Sequence, residues 1–275
     1  MLAYALHDLW LPPTAPSSRC NIESVDAGPS LAHTLAESRV PLIIRGLSWA
    51  ERWASRSAFL AEWGGEPVTI SSGTLLGKAG PEAALQADGG TRRRTTLRGA
   101  AEAMRASPSP DDYVFFNVSA ALMPELAQLW ADVHGERDGH GDAGLTAALV
   151  EAGLPPSRDA MRMRVALGGA GSGLIFHKHE LAINVLFAGR KRWFIFEDGD
   201  PEMPKGRIMK MKAGKPYTTA EWFASVYPRD EVQRMWLRRG YECVQEAGSA
   251  LYVPGGMMHA VLNDGENLAV AVTKA

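Results

Sequence analysis

From Met161 onward the chain reads as a succession of short apolar strands separated by Gly-rich turns. The predicted strands run over 161–167, 173–180, 182–188, 191–197, 239–245, 249–253, 257–263 and 267–273. Regularly spaced short strands restrict the fold to a barrel or sandwich. Two histidines, His177 and His179, fall two residues apart on one predicted strand, so they share a face. A third, His259, follows in a turn framed by Gly248, Pro254 and Gly256. Three imidazoles converging inside a small barrel would make a first-row transition-metal site.

The N-terminal half has a different texture. Residues 1–28 are Pro/Ser-rich and predicted irregular. Ser30 is placed to N-cap a helix through Ser38, and Val40–Arg45 reads as a buried strand. Ser48 opens an amphipathic helix with Trp49, Trp53, Phe59 and Trp63 as core contacts. Val68–Ser71 and Tyr113–Asn117 read as strands, Leu97–Ala106 and Ala120–His134 as helices. Residues 73–95, with Arg92-Arg93-Arg94, read as a surface excursion, and 135–144 as a polar loop. Residues 200–238 interrupt the strand array with a loop and a helix from about Thr218, placed to act as a lid. No second core is indicated, so 1–275 reads as one domain with its core barrel at 161–273.

Composition excludes several classes. Net charge is −2, which favours neither nucleic acid nor an acidic membrane. No apolar stretch is long enough to span a bilayer, and the N-terminus lacks a signal-peptide pattern. Two cysteines, Cys20 and Cys243, fit a reducing compartment and predict no disulfide framework. Together these predict a cytoplasmic chain without a membrane or nucleic-acid partner.

The segments Gly171-x5-His177-x-His179-x4-Asn184 and Gly248-x5-Pro254-x-Gly256-x2-His259-x3-Asn263 resemble the two signature motifs of the cupin superfamily. The first departs from it, with Asn184 where many cupins place a glutamate. A narrower resemblance is carried by Gly168–His177, Ala188–Phe196, Ala247–His259 and the strand Arg39–Gly46. These resemble the JmjC-domain oxygenases, in particular the small JmjC-only hydroxylases. The most similar-looking branch is one of the endoplasmic-reticulum lumen that also carries His-x-His.

The resemblance implies a mainly β fold with decorating helices, a double-stranded β-helix of the jelly-roll or cupin type. It implies Fe(II), with 2-oxoglutarate as cosubstrate, held by His177, His179 and His259. In the family a carboxylate stands where this chain has His179; Glu180 could serve only if a bulge turned it inward. Lys191 matches the lysine that pairs with the distal carboxylate of 2-oxoglutarate, and Tyr113 a tyrosine that hydrogen-bonds it. Asn184 and Thr273 match further polar cosubstrate positions. Asn263 is expected to hold the turn after His259. Trp193, Phe194 and Phe196 are expected in the barrel core, with Met257 and Met258 walling the pocket. One of Arg162 and Arg164 is expected to face the mouth.

The implied reaction converts 2-oxoglutarate to succinate and CO2 and oxidises a C–H bond of a protein or small molecule. Two other readings stay open: a three-histidine cupin metalloenzyme without 2-oxoglutarate, and a catalytically silent JmjC-like binding protein. Relatives dimerise through helices after the last strand, and this sequence stops at Ala275, so a monomer is expected.

Overall fold

A computed structural model describes residues 20–28, 30–47, 53, 55–71, 93–109, 112–117, 161–209, 211–212 and 215–274. The expectations for Trp49, most of the 73–95 excursion, the 120–134 helix and the 135–144 loop lie outside the described residues. The strands are β1 (Glu23–Asp26), β2 (Leu42–Arg45), β3 (Pro67–Ser71), β4 (Arg93–Thr96), β5 (Tyr113–Asn117), β6 (Met161–Gly168), β7 (Gly173–His177), β8 (Ala182–Glu197), β9 (Met211–Lys212), β10 (Lys215–Pro216), β11 (Tyr241–Glu246), β12 (Ser249–Val253) and β13 (Met257–Lys274). The helices are α1 (Leu31–Glu37), α2 (Arg56–Trp63), α3 (Leu97–Ala106), α4 (Lys205–Ile208), α5 (Thr219–Ser225) and α6 (Asp230–Arg239).

Two long strands, β8 and β13, organise the fold. They pair antiparallel along nearly their whole length, with register shifts between Asp264 and Ala269. The first half of β8 and the second half of β13 lie in one layer, ordered β1-β2-β12-β8-β13-β6-β5-β3-β4. Their other halves form a second layer, ordered β11-β8-β13-β7. The result is a mainly β jelly roll of the cupin type. Each of these strands absorbs two predicted ones, because the chain turns between layers without leaving the ladder. Gly189 supplies the corner in β8: its φ is +80°, and a Cβ there would meet the Glu266 carbonyl oxygen at 2.3 Å.

Alternation along the strands divides the core into three. Between the layers lie Ala166, Leu186, Trp193, Ile195, Leu251, Val261 and Ala269. The outer face of the larger layer packs Val165, Ile183, Val185 and Val270 against α1, α2 and α3. The outer face of the smaller layer packs Phe176, Phe194, Phe196 and Met258 against Trp222 of α5 and Trp236 of α6. The 200–238 insertion therefore buries its apolar residues on the back of the sheet; it is not a lid seated on the mouth. Phe194, Phe196 and Met258 point to that outer cluster, whereas Trp193 and Met257 point inward.

Other expectations shift in smaller ways. Residues 23–26 form a strand, β1, parallel to β2, inside the segment predicted irregular. Helix α2 starts at Arg56, with the Ser55 hydroxyl accepting from Ala58 N–H; the start predicted at Ser48 lies outside the described residues. Residues 93–96 pair with β3 instead of ending a surface loop. Thr218 caps α5 in a reciprocal capping box with Glu221, as its position in the sequence predicts. Buried Glu266, at the turn of β13, accepts from Arg56 of α2 and Arg105 of α3, each at 3.0 Å.

The cysteines overturn their reading. Cys20 and Cys243 are joined in a disulfide across a sequence separation of 223 residues. A contact between the segment before β1 and β11, invisible from spacing alone, brings them together: Asn21 N–H donates to the Glu242 carbonyl at 2.9 Å. The cytoplasmic expectation thereby loses the support it took from free thiols. No described helix is long and apolar enough to cross a membrane.

Candidate metal centre

The three histidines come from two strands and a loop. His177 ends β7 and pairs with His259 of β13. This close pairing requires glycine at position 173, where a Cβ would meet the Val261 carbonyl oxygen at 1.9 Å. His179 lies beyond the end of β7, so the predicted strand 173–180 stops at His177. The loop is pinned instead by Gly256 N–H, which donates to the His179 carbonyl at 2.9 Å. The Pro254–Gly256 turn thus seats His179 against the strand that carries His259.

The ligand-capable nitrogens of His177, His179 and His259 all lie within 4.8 Å of one another. Each Nδ1 already faces a backbone carbonyl: Ile175 at 2.8 Å, Glu180 at 2.6 Å and Met257 at 3.0 Å. A carbonyl can only accept, so Nδ1 carries the proton and each Nε2 keeps its lone pair free. This orienting hydrogen bond is the one that metal-binding histidines use. Burial disfavours the imidazolium form of all three. It lowers His177 to about 4, helped by the charge of His179. Burial lowers His179 too, with a smaller push from Arg164, and holds His259 well below the ordinary range. The trio is neutral at physiological pH, the form that binds metal. Glu180 is exposed and stands outside the cluster.

Below the trio the barrel is polar. Lys191 is fully buried, 0 % exposed, on the inward face of β8 beside Trp193. It sits opposite Asn263, four residues from the Ile195–His259 pair. At about 3.3 Å per residue the two levels are ~13 Å apart along the strand. Tyr113, also buried, accepts from Lys191 Nζ at 3.4 Å. Desolvation lowers the Lys191 pKa to about 7, and burial raises that of Tyr113.

Asn184 lies on the same inward face of β8, and its side-chain oxygen is buried with no hydrogen-bond partner among the described residues. Thr273 is buried at the end of β13, paired with Ala182. That position is near the histidines and far from the Lys191 level. Asn263 braces the turn before β7, donating to Ser172 Oγ at 2.9 Å, rather than the turn after His259. Arg164 alternates inward with Ala166, 5.4 Å from the centroid of Phe115; the Arg162 side chain lies outside the described residues.

Two partners were not singled out by motif. Gln245 of β11 accepts from Trp193 Nε1 at 2.9 Å and donates to the Asn184 carbonyl at 2.8 Å. That bond fixes Trp193, whose ring lies 6.2 Å from that of His259. Ser172 is the other. Its only sequence signal was its place in the Gly-rich run before β7.

A cupin-type double-stranded β-helix with an inward histidine trio defines a class of metal-binding barrels. Residues 169–273 match the family model described as JmjC domain, hydroxylase. The chain is 35% identical to JmjC domain-containing protein 8 of Rattus norvegicus over 35% of this chain and 31% of that protein. It is 30% identical to arginine-specific demethylase JMJ22 of Arabidopsis thaliana over 38% of this chain and 21% of that protein. A longer match, at 26% identity, covers 84% of this chain and 54% of the bifunctional arginine demethylase and lysyl-hydroxylase psr-1 of Caenorhabditis elegans. The chain spans about a third or less of the first two of these relatives.

Proposed function

We propose that this chain is an Fe(II)- and 2-oxoglutarate-dependent oxygenase. The observation that carries the reading is the pairing of two features inside one barrel. Three imidazoles present free Nε2 atoms at its top. A fully buried ammonium, with a phenol beside it, lies at its floor. An isolated buried ammonium is costly, and a carboxylate is the partner that would offset it. A short dicarboxylate lying between Lys191 and the trio would satisfy both ends.

In this reading His177, His179 and His259 hold the iron, and Lys191 and Tyr113 hold the far carboxylate. Asn184, with its unsatisfied buried oxygen, and Thr273 supply polar contacts along the wall. When bound, iron and 2-oxoglutarate supply the oxidising chemistry; the protein contributes orientation and a dry cavity. Three neutral imidazoles suit iron, nickel, copper or zinc, and they leave one more positive charge at the site than a set with a carboxylate. That difference favours the second reading, a three-histidine metalloenzyme without 2-oxoglutarate, over the ordinary family chemistry. Lys191 favours the first.

The C. elegans relative is named for arginine and lysyl chemistry, so a basic protein side chain is the first substrate class to try. A monomer without a nucleic-acid partner remains part of the proposal. Its bond between Cys20 and Cys243 fits an oxidising compartment better than the cytoplasm. The test is succinate release from 2-oxoglutarate by iron-loaded protein, with metal content measured in parallel. Bound iron with 2-oxoglutarate turnover supports the reading; bound iron with none, across basic peptides and small molecules, moves it to the second.

A further inference from the structure

A cleft of about 890 Å³ lies against the loop after His179 and the turn before His259. Its lining includes Glu180 and Met257 on the side of the histidines and Gly240 and Tyr241 on the other. Asn21 also lines it, although it belongs to the segment that precedes β1. This short strap, residues 20–22, lies along β11, whose only ladder partner among the described strands is β8.

Three hydrogen bonds and one covalent bond hold the strap in place. Asn21 N–H donates to the Glu242 carbonyl at 2.9 Å, Asn21 Nδ2 donates to the Gly240 carbonyl at 2.9 Å, and Glu242 N–H donates to Asn21 Oδ1 at 2.7 Å. The covalent bond is the Cys20–Cys243 disulfide. Ile22 follows it into the interlayer core, where it shares a cluster with Cys243, Trp193 and Met257. Cys243 pairs in register with Trp193, the residue beside His259. The disulfide therefore joins a wall of the cleft to a strand that backs the metal centre.

We propose that the Cys20–Cys243 disulfide is a redox latch that holds the strap as one wall of the cleft, and that its reduction releases the strap and widens access to the histidine trio. A dithiol reductant supplies the chemistry. Two electrons and two protons pass to the cystine, the S–S bond breaks to give two thiols, and the reductant closes to its own disulfide. Without the covalent bond the strap keeps three hydrogen bonds and one buried isoleucine. A segment held by so few contacts opens more readily than the strands beside it. The latch stands independently of the cosubstrate assignment, because none of its parts is a metal ligand or contacts Lys191.

The test compares full-length protein equilibrated with oxidised glutathione and the same protein treated with dithiothreitol. Hydrogen exchange is read on peptides covering 20–26 and 240–246. Hydroxyl-radical labelling is read at Met257 and Tyr241. Reduction should speed exchange in both peptides about tenfold or more. It should raise labelling of Met257 severalfold and speed exchange in these two peptides well beyond any rise across 267–274. Cys20→Ser should copy the reduced state and ignore dithiothreitol; if that variant does not fold, the reduced wild-type chain carries the measurement. Equal exchange and labelling in the two states would overturn the proposal. So would two alkylatable thiols remaining after glutathione oxidation of the folded protein.

Discussion

Lys191 is the residue on which most of the functional chemistry turns. Its ammonium is buried against the Tyr113 phenol, and desolvation lowers its pKa to about 7. Between pH 7 and the ordinary 10.5 the unfolded chain keeps a proton that the folded chain has released. Stability of the anion-free protein therefore rises with pH across that window, by at most about 1.4 kcal/mol per pH unit. Urea titrations of wild type and Lys191→Met at pH 7 and pH 9 check this: the rise should vanish in the variant. The same pKa makes 2-oxoglutarate binding weaken above pH 7, because a neutral amine attracts no carboxylate. His179→Ala should abolish tight iron binding, read as metal per chain after gel filtration; unchanged stoichiometry would exclude His179 as a ligand. The histidine cluster was legible because motif spacing is local, whereas Lys191 was named only through the family resemblance of its hairpin. The hydrogen bonds that set the tautomers are equally local, to carbonyls within two residues. What spacing could not give was Gln245 behind Trp193, since a bond across 52 residues depends on which strands pair.

At the scale of elements, the site depends on β8 and β13 crossing between layers without breaking. Gly189 makes the corner in β8 at positive φ, with Asn267 Cβ 2.7 Å from where its own Cβ would be. Gly189→Ala should destabilise the chain by about 1–3 kcal/mol. Gly206→Ala, where a Cβ would meet nothing within 4 Å, should change stability by less than about 1 kcal/mol. Equal effects, measured by thermal melting, would show that the corner is not constrained. The sequence showed these strands as four shorter ones because glycine and polar residues at the corner look like a turn. The lid reading failed for a related reason. The apolar residues of α5 and α6 declared that they pack on something, but not which face of the sheet receives them. Phe194 and Phe196 settle it by pointing outward.

Across the whole molecule, two long-range ties close the fold. Glu266 gathers Arg56 and Arg105 from helices far earlier in the chain. The Cys20–Cys243 bond then encloses nearly all of the described structure. Replacing both cysteines by serine should lower unfolding free energy by about 2–5 kcal/mol under non-oxidising-sensitive conditions such as urea at pH 7, and dithiothreitol should cost the wild type the same. Two cysteines alone gave no hint of pairing, because the contact arises only once the strap lies along β11.

The central claim is that the histidine trio and Lys191 form one site, metal above and dicarboxylate below. Its most direct test is equilibrium binding of 2-oxoglutarate to protein loaded with Mn(II), a redox-silent stand-in for iron, in wild type and Lys191→Met. The account predicts one metal per chain in both proteins and an affinity for 2-oxoglutarate about 100-fold weaker in the variant. Equal affinity in the two proteins, with metal bound to both, would contradict it.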